Sequence, residues 1–187
     1  MSGAGHIDPS NKKVALIIAV LAAVLAFSET LGKSAQTAAL SYNIEASNLW
    51  SFFQAKTIRM TTVRTAADGL AMDASELPPG PAREAREKRA ADLRAAASRY
   101  DSEPETREGR KELAARAKIA EEKREKSLAA YHHYELASAA VQIAIVLASA
   151  NVITGAAFLL WGTIGLGVVG VIFAAIGLFA PASLHLF

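Results

Sequence analysis

Along the chain, apolar and charged positions separate into blocks instead of mixing on one amphipathic surface. Two windows, 14–28 and 136–187, contain no charged side chain, and all 20 basic and 18 acidic residues fall outside them. The second window is too long for one membrane crossing, which takes roughly 20 apolar residues at ~1.5 Å rise each. Its polar break at 151–155 divides it into spans at about 137–150 and 156–180, and so short a turn makes them an antiparallel transmembrane hairpin ended by Pro181. The first window holds the 14 apolar residues VALIIAVLAAVLAF, a length also typical of a signal-peptide core. Lys12 and Lys13 would then be the basic region and Ala26-Phe27-Ser28 the cleavage site. The helical pattern runs on through 29–32 without a turn signal, which favours an uncleaved anchor.

The intervening segment, 29–135, has its own pattern. Between Pro9 and Pro78 there is no proline, and after the first window the only glycines before that turn are Gly32 and Gly69. Leu31, Ala35, Ala38, Tyr42, Leu49, Trp50, Phe53, Thr57, Met60, Ala67 and Leu70 recur mostly at steps of three, four or seven. That spacing predicts a helix continuous with the first span. Leu77-Pro78-Pro79-Gly80-Pro81 is a strong turn signal, placing the reversal at 75–82. The return arm is broken once, at Asp101-Ser102-Glu103-Pro104, where Ser or Glu can cap and Pro can occupy a first helical turn. In that arm Leu113, Ala117, Ala120, Arg124, Ser127, Tyr131 and Tyr134 step by four and three in strict alternation.

The expected fold is therefore all-α: a tail (1–13), transmembrane helix 1 (14–28), a long antiparallel, coiled-coil-like helical hairpin (29–135) and a C-terminal transmembrane hairpin (136–187). Small residues at seam positions allow close pairing but bury little apolar area, at ~25 cal/mol per Å². Aromatic residues concentrate in the outgoing arm, at Tyr42, Trp50, Phe52 and Phe53. Trp50 and Phe53 are thus candidates for packing between copies of a homo-oligomer.

Composition narrows the chemistry. Alanine fills 40 of 187 positions, favouring helix throughout. The absence of cysteine excludes disulfides, a thiol nucleophile and Cys-ligated metals. With Asp8, Lys12 and Lys13 set aside, the insert carries 18 basic and 17 acidic residues, leaving no basic excess for nucleic acid. No ionisable group lies within a span, which disfavours a pump or coupled transporter.

Gly165, Gly167 and Gly170 spell GxGxxG, but no strand precedes them and no acidic residue follows Glu135 to hold a ribose. Gly162, Gly167, Gly170 and Ala174 read better as close helix contacts, as do Ala140, Ala144 and Ala148 on the preceding span. Leu31-Gly32-Lys33-Ser34 lacks the first glycine of a phosphate loop, because Phe27 stands there. Gln142 is expected to hydrogen-bond another helix. His132 and Glu135, with His133 beside them, could form half of a metal site, for which Glu29 is the obvious further ligand. Tyr131, His132, His133 and Tyr134 fit better as an aromatic and polar belt at the membrane interface. Neither a metal, a cofactor nor an enzymatic activity is expected.

The stretches SETLGKSAQTAALSYNIEASNLWSFFQAKTIR (28–59) and YHHYELASAAVQIAIVLAS (131–149) resemble an uncharacterised bacterial membrane family known only as a domain of unknown function. The resemblance covers nearly the whole chain and implies one N-terminal span, a charged helical arm and a His-containing entry into a terminal hairpin. It implies no catalytic residue. Family members typically carry Lys or Arg in the last hairpin turn, whereas 151–155 here has neither. Only Lys12 and Lys13 then orient the chain, placing the N-terminus and that turn in the cytoplasm and the insert in the periplasm of a bacterial inner membrane. The expected partners are the lipid bilayer and other copies of this chain, with other membrane proteins as further candidates. The expected role is structural or assembly-directing, with an oligomeric pore lined by the C-terminal spans as the alternative.

Overall fold

The computed structural model describes residues 9–183, with side chains from Lys12 onward. Most of the expected 1–13 tail and the last residues of the 136–187 segment lie outside the described residues. Four α-helices follow in order: α1 (Pro9–Ser75), α2 (Pro81–Asp101), α3 (Arg110–Thr154) and α4 (Ala157–Phe179). No strand occurs among the described residues. Helices α1, α3 and α4 are long and apolar enough to cross a membrane. The chain divides into two compact units: Met1–Leu40 with Arg124–Phe187, and Ser41–Lys123.

A seven-residue burial repeat organises α1. Val14, Leu21, Ser28, Ala35, Tyr42, Leu49, Lys56, Val63 and Leu70 alternate with Ile18, Leu25, Gly32, Ala39, Ala46, Phe53, Met60, Ala67 and Ala74, and each is buried or half-buried. Steps of four and three keep one narrow stripe of a helix facing its neighbour, as in a coiled-coil seam. The sequence had already given the same alternation for α3, and there it continues through Ser138, Val141, Ile145 and Ala148.

In the first unit, α3 presents two faces. One meets α1 in a cluster of Leu21, Val141 and Ala144, joined by Ile17, Val24, Leu25, Ile145 and Leu166. The other, through His133, Ala137 and the Ala144 carbonyl, receives α4. The turn between α3 and α4 is tighter than expected. Instead of breaking at 151–155, α3 continues through Thr154, and only Gly155 and Ala156 lie between the helices. Gly155 makes this possible at φ 68°, donating its N–H to the Asn151 carbonyl at 2.8 Å, as left-handed helix caps do. Asn151 is therefore the last-turn cap: its Nδ2 donates to the Ala156 carbonyl at 2.9 Å.

In the second unit, α2 and α3 run antiparallel to α1, with Arg94 meeting Asp68, Arg110 meeting Met60 and Trp50 meeting Glu121. Pro81 opens α2 in its first turn, where its missing N–H has no intrahelical partner to lose. The expected break is longer than Asp101–Pro104 suggested: residues 102–109 form a loop, and Pro104 is in that loop and does not start α3. The paired residue numbers sum to 162 before the loop (Arg94 with Asp68) and 170 after it (Arg110 with Met60). That difference of eight matches the loop's own length. The loop is therefore bulged out of the pairing, and the register along α1 is kept. This explains why the return arm carries more residues than the outgoing one.

Candidate functional site

Trp50 and Phe53 lie in the second unit and pack against α3 of their own chain. They flank a cluster of Ala46, Leu49, Leu113, Ala117 and Ala120. Their rings meet edge to face at 5.4 Å, and the Trp50 indole donates to Glu121 Oε1 at 2.9 Å. Phe52, one residue away, is turned outward.

Where the loop leaves the pairing, the seam position opposite it is Lys56. Its side chain is 8% exposed, lies beside the Phe52 and Tyr100 rings at 5.4 and 5.6 Å, and reaches Glu108 at 3.8 Å. A lysine can fill a seam this way because its methylene stem packs while its ammonium meets ring faces and one carboxylate. The loop closes on Glu112, which accepts from Ser102 Oγ at 2.6 Å and from the Glu103 N–H at 3.1 Å. Gly109 allows the close turn, since a Cβ there would run into Glu112, the Glu103 amide and Ser102. The carboxyls sit below their ordinary pKa. The Lys111 ammonium lowers Asp101, the Thr106 hydroxyl and then Arg99 lower Glu103, and the Ser102 hydroxyl lowers Glu112. The sequence pattern marks a break here, at Asp101–Pro104, but neither its full length nor its contacts with Lys56 and Glu112. One available signal was a charged residue, Lys56, on an otherwise uncharged seven-residue repeat.

In the first unit, the four residues read as an interface belt take different places. His133 is fully buried, its ring stacks on Phe173, and its Nε2 lies 3.2 Å from the Pro181 carbonyl. Tyr134 is also buried, lying against Gly32 and Gly177. Tyr131 and His132 are half-buried, and His132 Nδ1 lies 3.8 Å from Glu135. Among the described residues no three His, Cys, Asp or Glu side chains gather as a metal site would require. Glu29, the further ligand considered above, instead accepts a hydrogen bond from Gln142 Nε2 at 3.3 Å.

The last-span glycines are used inside the chain. A Cβ on Gly170 would strike Val141 and approach the Ala137 carbonyl to 3.1 Å; one on Gly167 would meet Leu21 at 2.9 Å. Ala174, one turn beyond Gly170, is half-buried on the same stripe. Thr163 is fully buried and donates to the Leu159 carbonyl at 3.0 Å, with the Ala144 carbonyl of α3 at 3.3 Å. A shallow recess of about 450 Å³ lies between α1 and α3, lined by Glu29, Lys33, Gln36, Glu135 and Gln142, with Ser28 at its base. It holds opposite charges in one place, but its lining pairs no nucleophile with a general base.

These features define an all-α chain built from two zippered units, with three helices suited to a membrane. Residues 10–180 match the family described as a domain of unknown function (DUF4337), and the chain belongs to that family. No curated protein and no solved structure matches it.

Proposed function

We propose that this chain is a non-enzymatic, multi-pass protein of the bacterial inner membrane that acts as a structural or assembly component through its helical hairpin, as a homo-oligomer. The observation that carries the reading is the division of exposed surface. The first unit leaves Ile153, Phe158, Trp161 and Phe179 at 73–86% exposure, a load of apolar area suited to lipid and not to water. The second unit spends its buried positions on helix pairing and, Lys56 apart, carries its charges at least partly exposed. Such an arm presents long helical faces and no enclosed chemistry. The alternative, an oligomeric pore lined by the C-terminal spans, has less support, since Gly167 and Gly170 are packed against Leu21 and Val141 of the same chain.

The test is the native mass of the purified full chain in detergent, paired with dye release from liposomes carrying it. The expected result is a discrete oligomer without leak. A monomer at every concentration would sink the assembly reading, and size-selective dye release would replace it with the pore.

A further inference from the structure

A second stripe runs along α1, two positions on from the buried seam and therefore ~200° around the helix. It comprises Leu16, Val20, Ala23, Phe27, Thr30, Ser34, Thr37, Ser41, Ile44, Asn48, Ser51, Ala55, Ile58, Thr62, Thr65, Gly69 and Met72. Not one of these is charged, though α1 carries ten charged residues from Lys12 to Asp73. The stripe ends where its spacing reaches Lys13 on one side and Glu76 on the other. Every member is exposed except Ala55, which is half-buried.

Large apolar side chains lie on it in the charged unit: Ile44, Ile58 and Met72 are 53–69% exposed, and Phe52 flanks them. The spacing alternates four and three, the same repeat that pairs α1 with α2 and α3 on its other side. By contrast, α2 and α3 turn Arg86, Lys88, Arg89, Lys118, Glu122 and Lys126 outward. Within this chain, one seven-residue stripe of α1 is covered and the second is exposed.

We propose that the occupant is α1 of a second copy of this chain, running parallel and in register. This rests on the oligomer reading above. Copies inserted in one bilayer with one orientation place their α1 helices side by side in the same direction, so each residue of the stripe meets its own counterpart. Like meets like without repulsion, because the stripe is uncharged. Ile44, Ile58 and Met72, spaced by two heptads, supply the apolar contacts, and the small residues between them let the helices approach.

Asn48 occupies the position equivalent to a of a heptad, where a polar amide meets its twin and fixes register. Within the second unit the stripe runs from Ser41 to Met72, ~47 Å at ~1.5 Å per residue, and a contact strip ~10 Å wide covers ~470 Å² per copy. That is the size of a small interface, suited to copies already concentrated in one membrane.

The chain's lack of cysteine allows a direct test. Ser51→Cys, Ile58→Cys and Met72→Cys are made singly in the full chain, with Arg86→Cys and Lys118→Cys as controls on the charged faces. Because all five positions are exposed, the substitutions leave folding intact. Membranes are oxidised with copper phenanthroline and run without reductant. Dimers of twice 19.7 kDa are expected at 51, 58 and 72, at least ~10-fold more abundant than at 86 and 118. Ile58→Arg, combined with Met72→Cys, should abolish the Met72→Cys adduct.

Adducts of any other mass would mean that a different protein covers the stripe. Cross-linking equal at all five positions, or confined to 86 and 118, would place the interface elsewhere. Either result overturns this assignment while a discrete native oligomer still upholds the assembly reading. A monomeric native mass overturns both.

Discussion

Gly170 sets how closely α4 approaches α3. Its missing side chain leaves room for Val141 and for the Ala137 carbonyl, and backbone cannot move aside as a flexible side chain can. Gly170→Leu should therefore force the helices of the terminal hairpin apart at a cost of ~1–3 kcal/mol or more. Ile172→Phe, on the exposed side of the same helix, should change stability little. Thermal denaturation in detergent compares the two, and equal melting would show that the hairpin does not depend on this contact. The small-residue pattern made Gly170, Gly167 and Ala174 legible as packing positions, because close helix approach needs small side chains whatever the partner. The pattern could not name the partner, and the structure places Val141 and Leu21 of the same chain there. His133 was harder to place. As one of four adjacent polar and aromatic residues it read as belt, although it continues the spacing of Ala137 and Ala144, the face that α4 covers.

At the scale of elements, the joint between α2 and α3 should be the acid-sensitive part of the charged unit. Asp101, Glu103 and Glu112 all titrate below their ordinary values of 3.8 for Asp and 4.5 for Glu. Groups whose folded pKa is depressed contribute stability above the unfolded pKa and lose it as pH falls through the folded one. Residues 102–109 should therefore loosen as pH drops below the ordinary carboxylate range, and more than the α1 seam around Ala67 and Leu70, whose seam positions are apolar and whose nearby ion pair, Asp68 with Arg94, is exposed. Hydrogen exchange by mass spectrometry across that range, corrected for intrinsic rates, measures it. Glu112→Gln should flatten the dependence, and a loop equally protected at both ends of the range would contradict this account. The long helices and the reversal at Pro78 and Pro81 were legible because periodicity and proline are local signals. The joint was legible only as a break at Asp101–Pro104; its extent was not, because that depends on register: eight residues must leave the pairing for both halves of the return arm to match α1. Only the paired partners reveal that. The same blindness made the turn after α3 look five residues long when a single left-handed glycine suffices.

For the whole molecule read as a membrane protein, orientation is the property most open to a direct test. Long loops cross largely regardless of their charge, so only short segments near span ends direct orientation. Within those, Lys12 and Lys13 stand in the first turns of α1, before its apolar stretch 14–28, and neither the turn around Gly155 nor the residues after Pro181 carry a basic side chain other than His185. By this rule two lysines would set the topology of the proposed membrane protein, and the bias should be easy to reinforce or remove. An alkaline phosphatase fusion at Gly80, in the exposed turn between α1 and α2, should be active, as only periplasmic enzyme is, and a fluorescent protein fused there should be dark. Asn151→Lys adds a charge to the short turn on the same side as Lys12 and Lys13, and should leave that result unchanged. Neutralising both lysines, Lys12→Gln with Lys13→Gln, should yield a mixture of orientations in the same assay. Because the parallel α1 contact requires every copy to face the same way, that double variant should also lose cross-linking at Ile58→Cys in proportion to the mixture. A bright fluorescent fusion and an inactive phosphatase at Gly80 would place the arm in the cytoplasm, reversing the orientation but not the pairing.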